Sequence, residues 1–104
     1  MVKIITIEGR TAAGFLRFLK KHGFKEIDVK RLADYTADFL MALDKKDYER
    51  QKEIAYKVVE EVGAKTEKEK EIVLREFIHL CATYYWIFFV LKGVEDAERD
   101  KESA

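Results

Sequence analysis

Hydrophobic residues return at helical spacing along most of this chain, and the polar positions between them mark where each helix starts and stops. Ala12, Phe15, Leu16 and Leu19 share one side of a helix predicted from Thr11 to about Lys21, with Arg17, Lys20 and Lys21 on the other. Gly14 weakens that segment and Gly23 ends it. A second helix begins at Asp28, whose carboxylate suits an N-cap, with Ile27 and Leu32 placed as a hydrophobic staple. Leu32, Tyr35, Phe39, Leu40 and Leu43 form its apolar stripe, opposite Lys30, Arg31, Asp34 and Asp38. The same signals recur at Asp44, predicted to cap a third helix with Leu43 and Tyr48 as staple. Ile54, Ala55, Val58, Val59 and Val62 make its apolar face, and Gly63 its stop.

The fourth segment opens at Thr66 with Glu69 three residues on, the spacing of a capping box, and is predicted to run to Lys92 with Gly93 as its stop. Its first half is amphipathic. Its second half, FIHLCATYYWIFFVL, carries no formal charge from Phe77 to Leu91. Fifteen residues at helical rise span about 22 Å, short of the ~30 Å hydrocarbon core of a bilayer. His79, Thr83, Tyr84 and Tyr85 also suit lipid poorly, so a buried helix is the expectation.

The pattern as a whole predicts an all-α fold: a four-helix bundle with a long, largely buried C-terminal helix, in one domain over residues 1–93. Residues 94–104, VEDAERDKESA, read as a charged, disordered tail. Residues 2–7, VKIITI, are β-branched and bounded by Gly9, which predicts a short N-terminal strand or extended arm. No second strand follows, so its backbone groups need a partner from elsewhere, such as a second copy of the chain.

Composition narrows the class. The chain has 104 residues, 48% hydrophobic and 38% charged, which fits one globular domain rather than a disordered segment. It contains no proline or asparagine and a single glutamine, Gln51, while twenty Lys/Arg balance twenty Asp/Glu. That bias points to a thermophilic source. The lone cysteine, Cys81, excludes an internal disulfide and a cysteine-based zinc site, and its apolar surroundings mark it as a buried hydrophobe. The first residues lack a signal-peptide pattern, so a cytoplasmic location without membrane attachment is the expectation.

Little catalytic chemistry is legible. Gly9 and Gly14 have the outer glycine spacing of a phosphate loop, but Phe15 and Leu16 stand where Lys-Ser/Thr is needed. Ser103, in the tail, is the only serine, which excludes a serine nucleophile with its base. Glu76 and His79, three apart, fall on one helical face, as in carboxylate-bridged di-iron bundles. A full site needs a second such pair and further carboxylates, for instance Glu53 or Asp38, and so a symmetric dimer. Neither a metal nor a cofactor is assigned. Arg75 and His79 also share a face, and the pair resembles the Arg-to-His motif of HEPN-type ribonucleases, small all-helical dimers. The spacing is one residue short of that family's usual minimum, and Glu76 replaces its customary polar neighbour. The resemblance implies a ribonuclease using Arg75 and His79, so the lesser alternative is a small helical ribonuclease or a metal-binding dimer using Arg75, Glu76 and His79.

Charge and aromatic residues carry the main functional reading. Residues 1–31 hold eight basic and three acidic side chains, a net +5, balanced by −5 over the remainder. Arg17, Lys20, Lys21, Lys25, Lys30 and Arg31 therefore define an alternative as a nucleic-acid-binding protein. The stretch FLRFLKKHGFKEIDVKRLADYTADFL is similar to the helical core-binding domain of tyrosine recombinases, a pattern that any helical hairpin shares. Six of the thirteen aromatic residues, Phe77, Tyr84, Tyr85, Trp86, Phe88 and Phe89, crowd onto the fourth helix. Tyr and Trp suit interfaces, where an apolar body meets a polar rim. The leading expectation is a non-enzymatic helical interaction module, homodimerising or binding a protein partner through those six residues.

Overall fold

A computed structural model describes residues 11–103. The arm expected over residues 2–7 lies outside the described residues. Four helices follow one another: α1 (Ala12–Lys21), α2 (Val29–Asp44), α3 (Tyr48–Glu61) and α4 (Glu67–Ser103). No strand occurs among the described residues, so this part of the chain is all-α.

Side-chain caps fix the starts. Thr11 Oγ1 accepts from the Gly14 N–H at 3.0 Å, and Asp28 Oδ1 accepts from the Lys30 N–H at 3.3 Å. At α4 the capping box is complete: the Glu69 N–H donates to Thr66 Oγ1 at 3.1 Å, while the Thr66 N–H reaches back to Glu69 Oε1 at 3.3 Å. The third helix departs from expectation. Asp44 ends α2, and the cap of α3 is Asp47, whose Oδ1 accepts from the Arg50 N–H at 3.1 Å. Lys46 takes the left-handed conformation between them, with φ 56°, so the third helix is capped three residues later than predicted. Tyr48, expected as a staple residue, is 72% exposed and is the first residue of α3.

Gly23 and Gly63 follow α1 and α3 with φ of 73° and 77°, the left-handed geometry that closes a helix. The Lys25 N–H donates to the Val62 carbonyl at 2.9 Å, tying the α1–α2 connection to the end of α3. All four helices feed one core. Phe77 of α4 lies at its centre, edge-on to Phe15 of α1 at 6.2 Å and to Phe39 of α2 at 5.5 Å. Ile54, Val58 and Val62 approach from α3, with Val73, Leu80 and Cys81 flanking Phe77 on α4. Phe18 joins this core although the sequence pattern did not assign it to the inner stripe.

The expectation of a largely buried last helix holds only as far as Cys81. From Ala82 onwards no described side chain of α4 is buried. The helix also passes through Gly93, expected as its stop, and continues to Ser103 over the stretch expected as a tail. Gly93 lacks the positive φ that terminates α1 and α3, and Arg99 pairs with Asp96 one turn earlier, as suits a solvated helix. The shape follows from this extension. The longest dimension is 57 Å, about the length of a 37-residue helix at 1.5 Å per residue. The radius of gyration is 16.1 Å, against roughly 13 Å for a compact chain of this size.

Candidate functional site

The site is the part of α4 that leaves the core. Of the described side chains over residues 82–94, Thr83 and Tyr85 are half-buried and the rest are exposed, so most of this aromatic and aliphatic stretch faces solvent. Trp86 is 67% exposed and Phe89 59%, with Ile87, Val90, Leu91 and Val94 each about half exposed or more. Water around so large an apolar surface is unfavourable, at about 25 cal/mol per Å².

Two sides of this segment differ. On one, Tyr84, Ile87 and Leu91 form a wall of an open groove of about 450 Å³. Ala33, Ala37 and Leu40 of α2 form the other wall, and Leu32 and Thr36 lie along the same surface. Thr36 presents no unmet polar group, since its hydroxyl donates to the Leu32 carbonyl at 2.8 Å. Away from the groove, Trp86 and Phe89 stack on each other, with centroids 6.4 Å apart and planes 17° apart. Tyr85 stands at the groove's end beside Asp44, near Phe89 and Lys92.

The six aromatic residues singled out from sequence thus separate. Phe77 is wholly enclosed and packs in the core, so it presents nothing to a partner. Tyr84, Trp86 and Phe89 are exposed and Tyr85 half-buried, whereas the side chain of Phe88 lies outside the described set. Sequence reasoning missed the α2 half of the groove. Val29, Ala33, Ala37 and Met41 recur every fourth residue and are all exposed. That spacing was readable, but it lies beside charged Lys30, Asp34 and Asp38, on the side assigned to solvent.

The alternative sites are less well assembled. Arg75 is exposed, Glu76 buried and His79 half-exposed, and the Thr83 hydroxyl donates to the His79 carbonyl at 2.9 Å. Glu53, considered as a further ligand, pairs instead with Arg50 at 3.1 Å and Lys57 at 3.3 Å. The Lys57 ammonium, with help from Arg50, holds its carboxyl below the usual range. Asp38 is exposed on α2, and among the described residues no three His, Cys, Asp or Glu gather as metal ligands.

The six basic residues are all exposed, but not all available. Arg31 pairs with Glu61 across α2 and α3 and lies over the Tyr35 ring at 5.8 Å. The Glu61 carboxylate holds the Arg31 guanidinium above its ordinary pKa, and raises the Tyr35 hydroxyl with a further contribution from burial. The Lys25 stem runs beside Gly63. Arg17 and Lys20 line a surface hollow together with the acidic Glu26 and Asp28. Cys81 is enclosed, and burial pushes its thiol pKa far up, so the thiolate needed for reactivity is suppressed.

By length and composition, α4 over Glu67–Asp100 is also the one described helix that could cross a membrane, with only 18% of its apolar window buried inside the fold. Comparison of the chain with protein-family models, with curated proteins and with solved structures finds no match.

Proposed function

We propose that this chain is a non-enzymatic interaction module, a four-helix bundle that associates with a second copy or another protein through the outer half of α4. One observation carries the reading: the buried line of α4 ends at Cys81, while its apolar, aromatic sequence runs on to Val94 in the open. The exposed large hydrophobic residues described between Tyr84 and Val94 present on the order of 700 Å² of side-chain surface, taking ~200 Å² for each and about half of it exposed. That is close to the ~800 Å² each partner gives to a standard interface.

A membrane is the competing cover for such a surface, and the enclosed residues of α4 argue against it. The segment free of the core, residues 82–94, spans about 20 Å, less than the ~30 Å a bilayer requires. Reaching that length would draw Phe77, Leu80 and Cys81 out of the core, where all three are fully enclosed.

Trp86 is the only tryptophan, which makes its fluorescence a direct test. As concentration rises, or as a protein partner is added, its emission is expected to shift to the blue while light scattering reports a dimer or larger species. A chain that stays monomeric at high concentration and gives water-like Trp86 emission with every protein partner offered overturns the proposal.

A further inference from the structure

We propose that the groove between α2 and α4 receives the α4 helix of a second copy of this chain. This rests on the reading of α4 as an association surface and adds both the receiving surface and the identity of the partner. Val29, Ala33, Ala37 and Met41 form a continuous exposed ridge along α2, since residues four apart stack on one helical face. Its two central alanines let another helix axis approach within the ~8–10 Å of ordinary helix packing. Tyr84, Ile87 and Leu91 supply the opposite wall. The groove is open along its length, apolar, and without an unmet hydrogen-bonding group at Thr36.

A second copy satisfies this surface on two counts. The first is area: the outer half of α4 alone offers nearly what one side of a standard interface needs, so two copies close the requirement symmetrically. The second is charge. Residues 92–103, which follow the apolar segment, carry five acidic and three basic side chains. At the Val29 end of the groove a second hollow adjoins it, lined by Arg17 and Lys20 together with Glu26 and Asp28, with Lys30 next along the chain. An α4 helix laid in the groove with its acidic end towards that hollow can set its carboxylates against Arg17, Lys20 and Lys30, while the Asp28 carboxylate is already engaged by the Lys30 N–H. A two-fold axis repeats the contact, so each α4 lies antiparallel to the other and against the other's α2. The result is a central layer of two α2 and two α4 helices, with the apolar surface of each covered by its mate.

The test is sedimentation or light scattering of the full chain over a concentration series, with circular dichroism as the check on folding. Ala37→Glu puts a charge into the groove wall without touching α4, and Ala33→Glu, one turn away and equally exposed, is the second variant. Both are expected to keep native helicity and to weaken dimerisation at least 100-fold. Arg17→Glu with Lys20→Glu is expected to weaken it about tenfold at low salt and to flatten its salt dependence. A dimer that survives Ala37→Glu and Ala33→Glu, yet is broken by Trp86→Glu, overturns the groove while leaving association through α4 standing. A wild-type chain that binds another protein through α4 but never itself overturns the choice of a second copy. A chain that associates with nothing overturns both.

Discussion

Phe77 meets Phe39 edge to face, with ring centroids 5.5 Å apart and planes at 79°, inside the core and out of reach of water. Only nine residues further along the same helix, Trp86 is two-thirds exposed. The first contact belongs to folding and the second ring to association, so substitutions at the two positions are expected to have different consequences. Phe77→Ala is expected to destabilise the fold by about 3–5 kcal/mol, read from the urea midpoint at unchanged slope. Trp86→Ala is expected to leave the stability of the dissociated chain within about 0.5 kcal/mol of wild type.

Trp86→Ala combined with Phe89→Ala removes the stacked pair from the uncovered surface. The double variant is expected to raise the apparent dissociation constant of the assembly by about 100-fold or more, as for aromatic anchors elsewhere. Equilibrium sedimentation measures this, and an unchanged constant places the contact away from these rings.

The thiol of Cys81 gives a pH-dependent signal. Burial raises its pKa, so the folded chain holds the proton more tightly than the unfolded chain, whose thiol titrates near ~8.5. Its contribution to stability is therefore complete below about pH 8.5 and declines as pH rises beyond it, by up to ~1.4 kcal/mol per unit. Urea unfolding of wild type and Cys81→Ala under reducing conditions, from pH 7 to 10, separates the thiol's effect from that of other titrating groups. The stability difference between the two is expected to move in favour of Cys81→Ala with rising pH. Labelling of Cys81 by thiol reagents is expected to follow the rate of unfolding.

The start of α4 depends on a reciprocal pair, Thr66 with Glu69. Thr66→Ala is expected to cost about 1 kcal/mol. Once Thr66 is absent, Glu69→Ala is expected to add little, because the two side chains act together. A double-mutant cycle of thermal midpoints checks both values.

Gly63 holds φ 77° where α3 ends, with the Lys25 stem alongside. Space is not the difficulty, because an added Cβ would meet Lys25 Cδ at an ordinary 3.5 Å. Gly63→Ala is nonetheless expected to lower stability by about 1 kcal/mol through backbone strain alone, measured by chemical denaturation.

Where the outcome depends on neighbours along the chain, the sequence was a good guide. Asp28, Thr66 and Glu69 cap as their spacing foretold, Gly23 and Gly63 end their helices, and Ile54, Ala55, Val58 and Val59 of α3, with Val62 at its C-cap, all reach the core. Asp44 and Asp47 show the limit of that logic, because two equivalent caps three residues apart differ only in where the chain turns, at Lys46. Gly93 shows another: glycine permits a left-handed stop but does not impose one, and α4 runs through it. The groove was the hardest part to read. A line of Val29, Ala33, Ala37 and Met41 acquires meaning only once α4 is seen to rise beside it. Nothing in residue spacing alone says how far one helix will outrun its companions.

That overhang has a mechanical consequence. An unbroken rod from Glu67 to Ser103 joins the interior to the outer surface without a hinge, so whatever grips the far end also holds the near end. Slow amide exchange around Phe77 should deepen when Trp86 is clasped, making capture at the tip detectable some 14 Å away in the heart of the fold.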